Sequence, residues 1–503
     1  MRSPGLELDP KKSDPLYKQL FDQIVDRVRT GAFPEGYRLP PSRTLATDIG
    51  THRNTVVRAY ADLETAGFVA STVGRGTFVR AMRAPSRLES PPAEGAMPWA
   101  NLLSTAAEAE PLRRLERAGR PIAGRDVVNL TRMQPSQDLL PADLLRRCCD
   151  HVLRTEGARA LAYAPPEGLS RLRELIAQDL AISGVPAKAD DILVTTGSQQ
   201  GLDIVARALV NPGDTFLVDP STYPGAINVL TLAGARLVSV PSDPEGPSPG
   251  ALARLKSSGA KGLYLMPNCR NPTGDCLSTA RRKALIAWSR EASIPLIEDD
   301  YGADLSLTDA RPPPALRALD GDVLHMGTFS KKLVPALRIG FVVAPPALRR
   351  TLVAVKHAMD LGTSGLLQHV LAEFLERGYL RAHLAKTLPV YRARRDALDG
   401  SLRRHAPPGI HWVTPSRGVV MWIPLPQGVD GEHVFEEARR RGVLVSTGKL
   451  FQVDSTLLPG IRLAFCAEPE DRLVEGGKRL GEALRAIVKQ KRIGPAGAIV
   501  ESV

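Results

Sequence analysis

The sequence has few cysteines and no long apolar run, and both shortages narrow the classes of protein that it can encode. Its 503 residues include 5 cysteines, two of them adjacent and none in a CxxC pair. Since zinc sites and disulfide frameworks need cysteines at regular spacings, we expect reduced thiols and no structural metal. No stretch approaches the roughly 18 apolar residues of a membrane span, and the first residues lack the apolar core of a secretion signal. We therefore predict a cytoplasmic protein without a membrane segment.

The chain is basic, but its positive charge is not concentrated in one segment. The formal net charge is +12 and the pI is near 9.6. The first 80 residues contain 12 Lys and Arg against 9 Asp and Glu. Net charge informs on association rather than on fold, so this excess permits nucleic-acid binding without demonstrating it. A chain of this length, with 43% hydrophobic residues, exceeds one ordinary domain, and we expect at least two.

The first 80 residues have the spacing of three helices. An apolar residue recurs every four positions from Leu16 to Val28 and predicts a helix from about Pro15 to Thr30. A second helix is expected to begin with Ser42 as its N-cap and to end at Gly50. A third is expected over about residues 52–66. Two short helices joined by a tight turn indicate a helix-turn-helix, whose second helix enters the major groove of DNA.

A small hairpin is predicted after the third helix. Two apolar segments, 68–70 and 77–79, flank a Gly-Arg-Gly tip whose arginine could enter a minor groove. Residues 14–80 resemble the winged helix-turn-helix of GntR-type repressors, in LPPSRTLA at 39–46, RNTVVRAY at 53–60 and GRGTFV at 74–79. The resemblance implies contacts with double-stranded DNA from Arg43, Arg53, Thr55 and Arg75. Residues 81–125, rich in Gly and Pro, are interpreted as a linker with a short helix around 112–118.

From residue 126 to about 493, short apolar runs alternate with longer helical segments. The runs are 192–195, 215–218, 262–266, 296–298 and 323–327. Such runs are typical of buried parallel strands, so the predicted fold class is α/β with a mainly parallel central sheet. Ligands of such sheets bind at the carboxyl ends of the strands, and polar residues follow each of these runs.

The segment from Gly327 to Gly340 places a lysine, two hydroxyl groups and an arginine within one short stretch. A Schiff base with an aldehyde needs an amine that can be neutral, and Lys331 is the candidate. Arg338 can bind a phosphate bidentately, with Thr328 and Ser330 donating beside it. These groups suit pyridoxal 5'-phosphate (PLP), an aldehyde that carries a phosphate. An isolated Ser-Lys pair would be a basic surface turn, and the other strand ends decide against that alternative.

The other predicted strand ends supply complementary groups. Ser198 and Gln199 open a helix, whose N-terminus can bind phosphate. Asp299 can keep a pyridine nitrogen protonated, which makes the ring an electron sink; Asp300 is expected to point away, into solvent or a second layer of contacts. Tyr223 supplies an aromatic ring that can stack on the pyridine. Asn271 and Tyr301 supply two hydrogen-bond donors for the phenolate oxygen of the cofactor.

Taken in order, these residues resemble the site of fold-type I aminotransferases, over roughly residues 126–490. The Lys331 segment matches the motif Ser-x-Ser-Lys-x-x-x-x-Gly-x-Arg-x-Gly, with Thr328 for the first serine and Ala336 for a glycine. The resemblance implies that Tyr163 reaches the phosphate of a neighbouring subunit and that Arg462 binds the α-carboxylate of a substrate. A site shared in this way implies a homodimer.

A GntR-like head joined to such a domain resembles the MocR-type regulators, which bind DNA at one end and PLP at the other and form head-to-tail, domain-swapped dimers. Two functions stay open. In one, an aldimine at Lys331 senses PLP, with or without an amino acid or other amine effector, and changes operator binding. In the other, the chain is a PLP-dependent aminotransferase with a DNA-binding appendage. The intact head favours the regulator, whereas Asn271, which is an apolar residue in many MocR-type chains, favours residual catalysis.

Overall fold

The structure, a computed structural model, describes residues 6, 8–10, 14–29, 32–72, 76–80, 99–118, 126–454 and 459–493. The chain divides into two compact units, residues 1–102 and 103–503. The elements of the first unit are α1 (Leu16–Arg29), α2 (Ser42–Asp48), α3 (Arg53–Thr65), β1 (Val69–Thr72), β2 (Gly76–Val79) and α4 (Trp99–Leu102).

The first unit is a small helical core with a hairpin. The apolar stripe of α1 packs against α3, and α2 packs against α3 as well, around fully buried side chains, among them Leu20, Ile24 and Leu63. Strands β1 and β2 pair antiparallel, with Val69 opposite Val79. The three predicted helices and the hairpin are confirmed. The N-cap assigned to Ser42 was wrong, because Pro41 takes the cap position in extended conformation and no side chain caps the helix.

The second unit contains more elements. Its helices are α5 (Glu110–Ala118), α6 (Ala142–Thr155), α7 (Ser170–Ile182), α8 (Ser198–Leu209), α9 (Pro224–Leu232), α10 (Pro249–Leu255), α11 (Thr279–Ala292), α12 (Leu316–Leu319), α13 (Pro346–Asp360), α14 (Gly365–Glu376), α15 (Tyr379–His405), α16 (Gly431–Arg440) and α17 (Glu470–Ile493). Its strands are β3 (Val128–Asn129), β4 (Ile192–Thr195), β5 (Thr215–Val218), β6 (Arg236–Ser239), β7 (Ser242–Asp243), β8 (Gly246–Pro247), β9 (Leu263–Leu265), β10 (Leu296–Asp299), β11 (Leu324–Thr328), β12 (Gly340–Val343), β13 (Val420–Pro424), β14 (Val443–Leu444), β15 (Ser446–Thr447) and β16 (Gly460–Ala464).

A seven-stranded sheet forms the centre of this unit, in the order β4, β12, β11, β10, β9, β5, β6. All its strands run parallel except β12, which pairs antiparallel with both neighbours. Every residue of β4, β5 and β9 to β12 is buried. Strands buried without alternation are expected where helices cover both faces of a sheet. The prediction of a mainly parallel central sheet is confirmed, and each predicted strand is present to within one residue at its ends.

A second, antiparallel sheet of β13, β16 and β15 lies near the C-terminus, and β16 places Arg462 opposite both Trp422 and Ser446. The long helices α15 and α17 pack on each other, and β3 pairs in parallel with β14. Among the described residues, none of the helices combines the length and the apolar character needed to cross a bilayer.

The helix α5 packs against α9 and against the 3₁₀ turn Gly448–Phe451. Its Arg114 donates from Nη1 to the carbonyl oxygens of Lys449 and Gln452, both at 3.3 Å. These two carbonyls are therefore satisfied by a helix that precedes the central sheet by many residues.

Candidate functional site

One edge of the central sheet collects most of the predicted site residues. The carboxyl ends of the parallel strands and the start of antiparallel β12 meet there, because β12 runs in the opposite direction. In sheet order the edge carries Ser198 after β4, Arg338 before β12, Lys331 after β11, Asp299 at the end of β10, Asn271 after β9 and Tyr223 after β5. The fold thus brings together side chains that are up to 140 positions apart in the sequence.

Asp299 is the last residue of β10, and one of the two oxygens of its buried carboxylate accepts a hydrogen bond. Its Oδ2 accepts a hydrogen bond of 2.6 Å from the hydroxyl of Tyr264, whereas Oδ1 is buried and has no hydrogen-bond partner among the described residues. Burial raises the pKa of Asp299 to about 6, against the lowering effects of the Tyr264 bond and of the charges of His325 and Lys331. The free oxygen is suited to a donor that a ligand brings, such as a protonated ring nitrogen.

Lys331 lies in the turn after β11 and is half-buried. Its Nζ donates to the main-chain carbonyl oxygen of Met133 at 2.7 Å. Burial lowers the pKa of Lys331, and the positive charges of Arg462 and Arg338 lower it further, while Cys466 and Asp299 act in the opposite direction. A lysine with a lowered pKa is more often neutral and therefore more nucleophilic.

A cradle for an anion lies at the start of α8. Ser198 is the first residue of this helix and follows Gly197, whose φ of 84° is favourable only for glycine. A Cβ at Gly197 would lie 2.7 Å from Nη2 of Arg338, so the guanidinium lies directly against the helix N-terminus. Arg338 has a φ of 50° and donates to the Thr196 carbonyl at 3.5 Å, a long contact that leaves its other donors available to an anion. Gln199 donates to the Gly225 carbonyl at 3.0 Å.

The remaining predicted residues lie at the end of β11 or in the segments that follow β11, β5 and β10. Thr328 and Ser330 are buried, and the Thr328 hydroxyl oxygen accepts from the main-chain N–H of Ser330 at 3.1 Å. Tyr223 caps α9 and is half-buried; burial and the charge of Asp299 raise the pKa of its phenol. The Tyr301 hydroxyl donates to the Cys269 sulfur at 3.0 Å.

Arg462 is a buried arginine whose contacts are all with neutral groups. Its Nη1 donates to Oδ1 of Asn271 at 3.1 Å and to the thioether of Met133 at 3.0 Å. Its Nη2 donates to the Thr131 carbonyl at 2.9 Å and to the Ser446 hydroxyl at 3.1 Å. Burial lowers the pKa of Arg462 to about 10.

Tyr163 lies apart from this cluster. Its side chain is 88% exposed and follows the 3₁₀ helix Gly157–Leu161. Within the described residues of this single chain it makes no contact with the cluster. Its predicted role concerns a neighbouring subunit.

Two contributors were not predicted from the sequence. Tyr264 lies between two leucines in β9 and was interpreted only as part of an apolar run, although a buried tyrosine hydroxyl needs a partner, which was the available signal. Met133 contacts Lys331, Arg462 and Asn271, but nothing in its surroundings in the sequence indicates these contacts.

A second set of charged side chains, which we call the buried network, contains ion pairs and one carboxylate, Asp300, that is bonded to a neutral amide. Glu298 accepts from His325 at 2.9 Å, and Asp300 accepts from Asn268 at 2.7 Å. Lys332 donates to Asp304 at 2.6 Å and to Asp179 at 3.2 Å. Of the two alternatives for Asp300, solvent is wrong, because Asp300 is buried within this network.

The predicted DNA contacts lie on the first unit. Arg43 in α2 and Arg53 at the start of α3 are exposed, and Thr55 is half-buried. Arg58, on the same helix, is instead stacked over the Tyr17 ring at 3.8 Å. Arg75 lies outside the described residues.

Comparison with known proteins assigns a family to each part of the chain. Residues 125–477 match the family model "aminotransferase class I and II", and residues 16–79 match "bacterial regulatory proteins, gntR family". The chain is 30% identical over 482 residues to the uncharacterized HTH-type transcriptional regulator YisV of Bacillus subtilis, covering 95% of this chain and 98% of the relative. It is 32% identical to the HTH-type transcriptional regulator TauR of Rhodobacter capsulatus, with the same coverage. It is 30% identical to the probable rhizopine catabolism regulatory protein MocR of Rhizobium meliloti, covering 87% of each chain.

A solved structure is similar to the second unit. It is LysN, the α-aminoadipate aminotransferase of Thermus thermophilus, in complex with N-(5'-phosphopyridoxyl)-L-leucine. The TM-score is 0.71 at 30% sequence identity, over 78% of this chain and 100% of that one. The second unit therefore has the fold of a PLP-dependent aminotransferase, and the similarity extends over the whole length of that enzyme.

Proposed function

Because this chain belongs to the GntR family of regulators that carry an aminotransferase class I and II domain, we propose that PLP and an amino compound control its binding to operator DNA. The observation that carries the proposal is the occurrence in one chain of several side chains suited to a cofactor at one sheet edge and of a helix-turn-helix with exposed arginines. The relatives named as regulators span both parts of the chain, which supports the same conclusion.

The residues at the sheet edge fit PLP. The unpaired Oδ1 of Asp299 can accept from the pyridine nitrogen, and the Tyr223 ring can cover the pyridine. The anion cradle at Ser198, with Arg338 against it, suits the phosphate. Lys331 supplies the amine that bonds to the aldehyde carbon. When bound, PLP supplies an electron-withdrawing ring and a reactive carbonyl carbon.

The side chains of this chain then have separable tasks. Asp299, with a pKa of about 6, is mostly ionised at pH 7 and can hold a proton on the pyridine nitrogen. Lys331, with its lowered pKa, can take a proton from the α-carbon of an amino ligand or return one. Arg462 can orient the carboxylate of that ligand, and Asn271 and Tyr301 can donate to the phenolate oxygen.

The proposal extends to DNA and to a second copy of the chain. Arg43, Arg53, Thr55 and Arg75 are proposed to contact operator DNA in the cytoplasm, where the regulated genes lie. A head-to-tail, domain-swapped homodimer is proposed, in which Tyr163 reaches the phosphate of the other subunit. The 88% exposure of Tyr163 in a single chain supports this assignment.

A second candidate function is transamination. It is favoured by the contact between Arg462 and Asn271, which places a carboxylate-binding group next to the predicted phenolate donor. It is also favoured by the similarity to the α-aminoadipate aminotransferase of Thermus thermophilus.

The test combines the visible absorption of bound cofactor with DNA binding by the full-length protein. Duplexes are selected from a random pool by the wild-type protein, and their binding is measured with and without PLP. We expect PLP to change the affinity, and Arg53→Ala to weaken DNA binding by about 10- to 100-fold. Lys18→Ala, which removes an exposed charge from α1 of the same unit, is the matched control and should change the affinity by less than about threefold. Rapid turnover of amino donors by a protein that selects no duplex would instead support transamination as the main function.

A further inference from the structure

Met133 contacts the two residues that the proposed function assigns to ligand chemistry. Its carbonyl oxygen accepts from Nζ of Lys331 at 2.7 Å, and its sulfur lies 3.0 Å from Nη1 of Arg462. The sulfur also lies 3.8 Å from Nδ2 of Asn271. One side chain therefore lies against both the predicted carboxylate-binding arginine and the predicted phenolate donor, which also contact each other.

The contact between Arg462 and Met133 is chemically weak. A thioether is a poor acceptor, whereas a carboxylate binds guanidinium through two short charge-assisted hydrogen bonds. The other acceptors of Arg462 are neutral as well, and its Nε is buried without a hydrogen-bond partner among the described residues. A buried cation surrounded by neutral groups favours an anion, so an incoming carboxylate has a large advantage over the thioether.

We propose that Met133 is a specificity-determining residue that occupies the carboxylate subsite and is displaced from Arg462 when an α-amino acid binds. The occupied subsite selects for ligands whose carboxylate can replace the thioether, and an amine without a carboxylate leaves Met133 in place. This inference rests on the proposed function, because it requires that Arg462 receives the carboxylate of a ligand.

The surroundings of Met133 allow a local displacement. The chain before it is fixed by the bond from Arg462 to the Thr131 carbonyl. The chain after it is fixed by Arg394, which donates to the Ser136 hydroxyl at 2.7 Å and to Asp138 at 3.2 Å. Met133 itself lies outside any helix or strand and is only partly buried, and we expect its side chain to turn away while both anchors stay in place.

Occupation of the subsite by Met133 lowers the apparent affinity of the protein for amino acids. A ligand that binds only when the side chain has left binds only the fraction of molecules in which the subsite is open. Its apparent Kd is therefore the intrinsic Kd divided by that fraction. Shortening the side chain removes this effect for carboxylate ligands. It has no such consequence for amines, which do not compete with the thioether.

The experiment uses PLP-loaded, full-length protein with ¹³C-labelled methionine methyl groups. The chain has 8 methionines, and the Met133 signal is assigned from its loss in Met133→Leu. The common L-amino acids are screened by the change in the visible absorption of the cofactor. The amino acid with the largest change is then compared with the amine that its decarboxylation would give. We expect the amino acid, but not the amine, to shift the Met133 signal.

Affinities measured by the same absorption change provide the second readout. We expect Met133→Ala to tighten binding of the amino acid by about tenfold or more and to leave the Kd of the amine unchanged. Met359→Ala, which removes a methionine exposed on α13, is the control and should change neither.

The outcomes separate the two proposals. A changed cofactor spectrum with an unmoved Met133 signal, or equal effects of Met133→Ala on amino acid and amine, would overturn the role of Met133 and leave the proposed function standing. A protein that binds no PLP, or whose cofactor spectrum no amino compound changes, would overturn both.

Discussion

At the sheet edge, two pairs of neighbouring residues carry the same charge within each pair but differ in their hydrogen-bond partners. In β10, Glu298 is bonded to His325, while the next residue, Asp299, has one oxygen with no hydrogen-bond partner in the described part of the chain. In the turn after β11, Lys331 contacts a neutral carbonyl, while Lys332 is bonded to two aspartates. The comparison separates charges that stabilise the fold from charges that are available to a ligand.

The pKa shifts of the two lysines follow the same division. Burial acts to lower the pKa of Lys332, but Asp304 and Asp179 outweigh it and raise the pKa. For Lys331 burial dominates, and the pKa is lowered. A desolvated charge that donates only to a neutral group stabilises the fold less than an ion pair does, so the surroundings of Lys331 favour a role in binding over a role in stability.

The largest expected effect is on covalent retention of the cofactor. Lys331→Ala removes the amine that bonds to the aldehyde carbon, so we expect no cofactor to remain attached after borohydride reduction and denaturation. The measurement is the mass of the denatured protein. Lys332→Ala keeps that amine, and its reduced protein should carry the mass of the cofactor. Equal attachment in both variants would contradict the division between the two lysines.

The second prediction concerns the stability of cofactor-free protein. Lys332→Met removes the cation that is bonded to Asp304 and Asp179, although Asp179 keeps its ion pair of 2.7 Å with Arg381. We expect this change to destabilise the second unit by about 3 kcal/mol. Lys331→Met removes a half-buried amine that donates to a neutral carbonyl, and we expect its effect to be neutral or stabilising. Thermal unfolding followed by circular dichroism gives the two midpoints, and a similar fall in both would show that the two lysines are equivalent.

The third prediction concerns pH. The pKa of Asp299 is raised from an ordinary value of 3.8 to about 6, so the folded chain binds this proton more tightly than the unfolded chain. The resulting cost to stability therefore grows as pH rises from about 4 to 6 and reaches up to about 3 kcal/mol. We expect Asp299→Asn to stabilise cofactor-free protein increasingly over that range. The measurement is the unfolding midpoint from pH 4 to 7.

For Glu298 we expect the opposite dependence of stability on pH. Burial acts to raise the pKa of Glu298, but the bond and charge of His325 outweigh it and lower the pKa. Its contribution to stability is present above its ordinary pKa of 4.5 and is lost as pH falls through the lowered folded-state value. Glu298→Gln should therefore destabilise the protein more at pH 7 than at pH 4. Parallel pH profiles for the two variants would contradict the comparison.

The smallest expected effect is that of Tyr264→Phe. It removes the hydrogen bond to Oδ2 of Asp299, which raises the pKa of that carboxyl further and weakens its interaction with a protonated pyridine. We expect PLP affinity to fall by about tenfold, measured by titration of apoprotein. Tyr60→Phe removes a buried hydroxyl that donates to the Pro40 carbonyl in the first unit, and it should leave PLP affinity unchanged.

The strand ends could be predicted from the sequence because each is a local pattern. An apolar run followed within a few residues by Asp299 or Lys331 places those side chains at the sheet edge without knowledge of the strand order. The Tyr264 bond depends on strand pairing, since it requires β9 and β10 to lie side by side with Tyr264 opposite Ile297. The contact of Met133 with Lys331 joins residues 198 positions apart and depends on packing that no local pattern encodes.

The anchoring of α5 by Arg114 has a practical consequence for dissecting the protein. The family match to the aminotransferase part begins at residue 125, which invites a truncation at that point. Such a fragment would lose α5 and with it the hydrogen bonds from Arg114 to the carbonyl groups of Lys449 and Gln452. Between these two residues lies Phe451, whose ring lies 4.9 Å from the guanidinium of Arg462. A recombinant fragment meant to report ligand binding faithfully should therefore begin before Glu110.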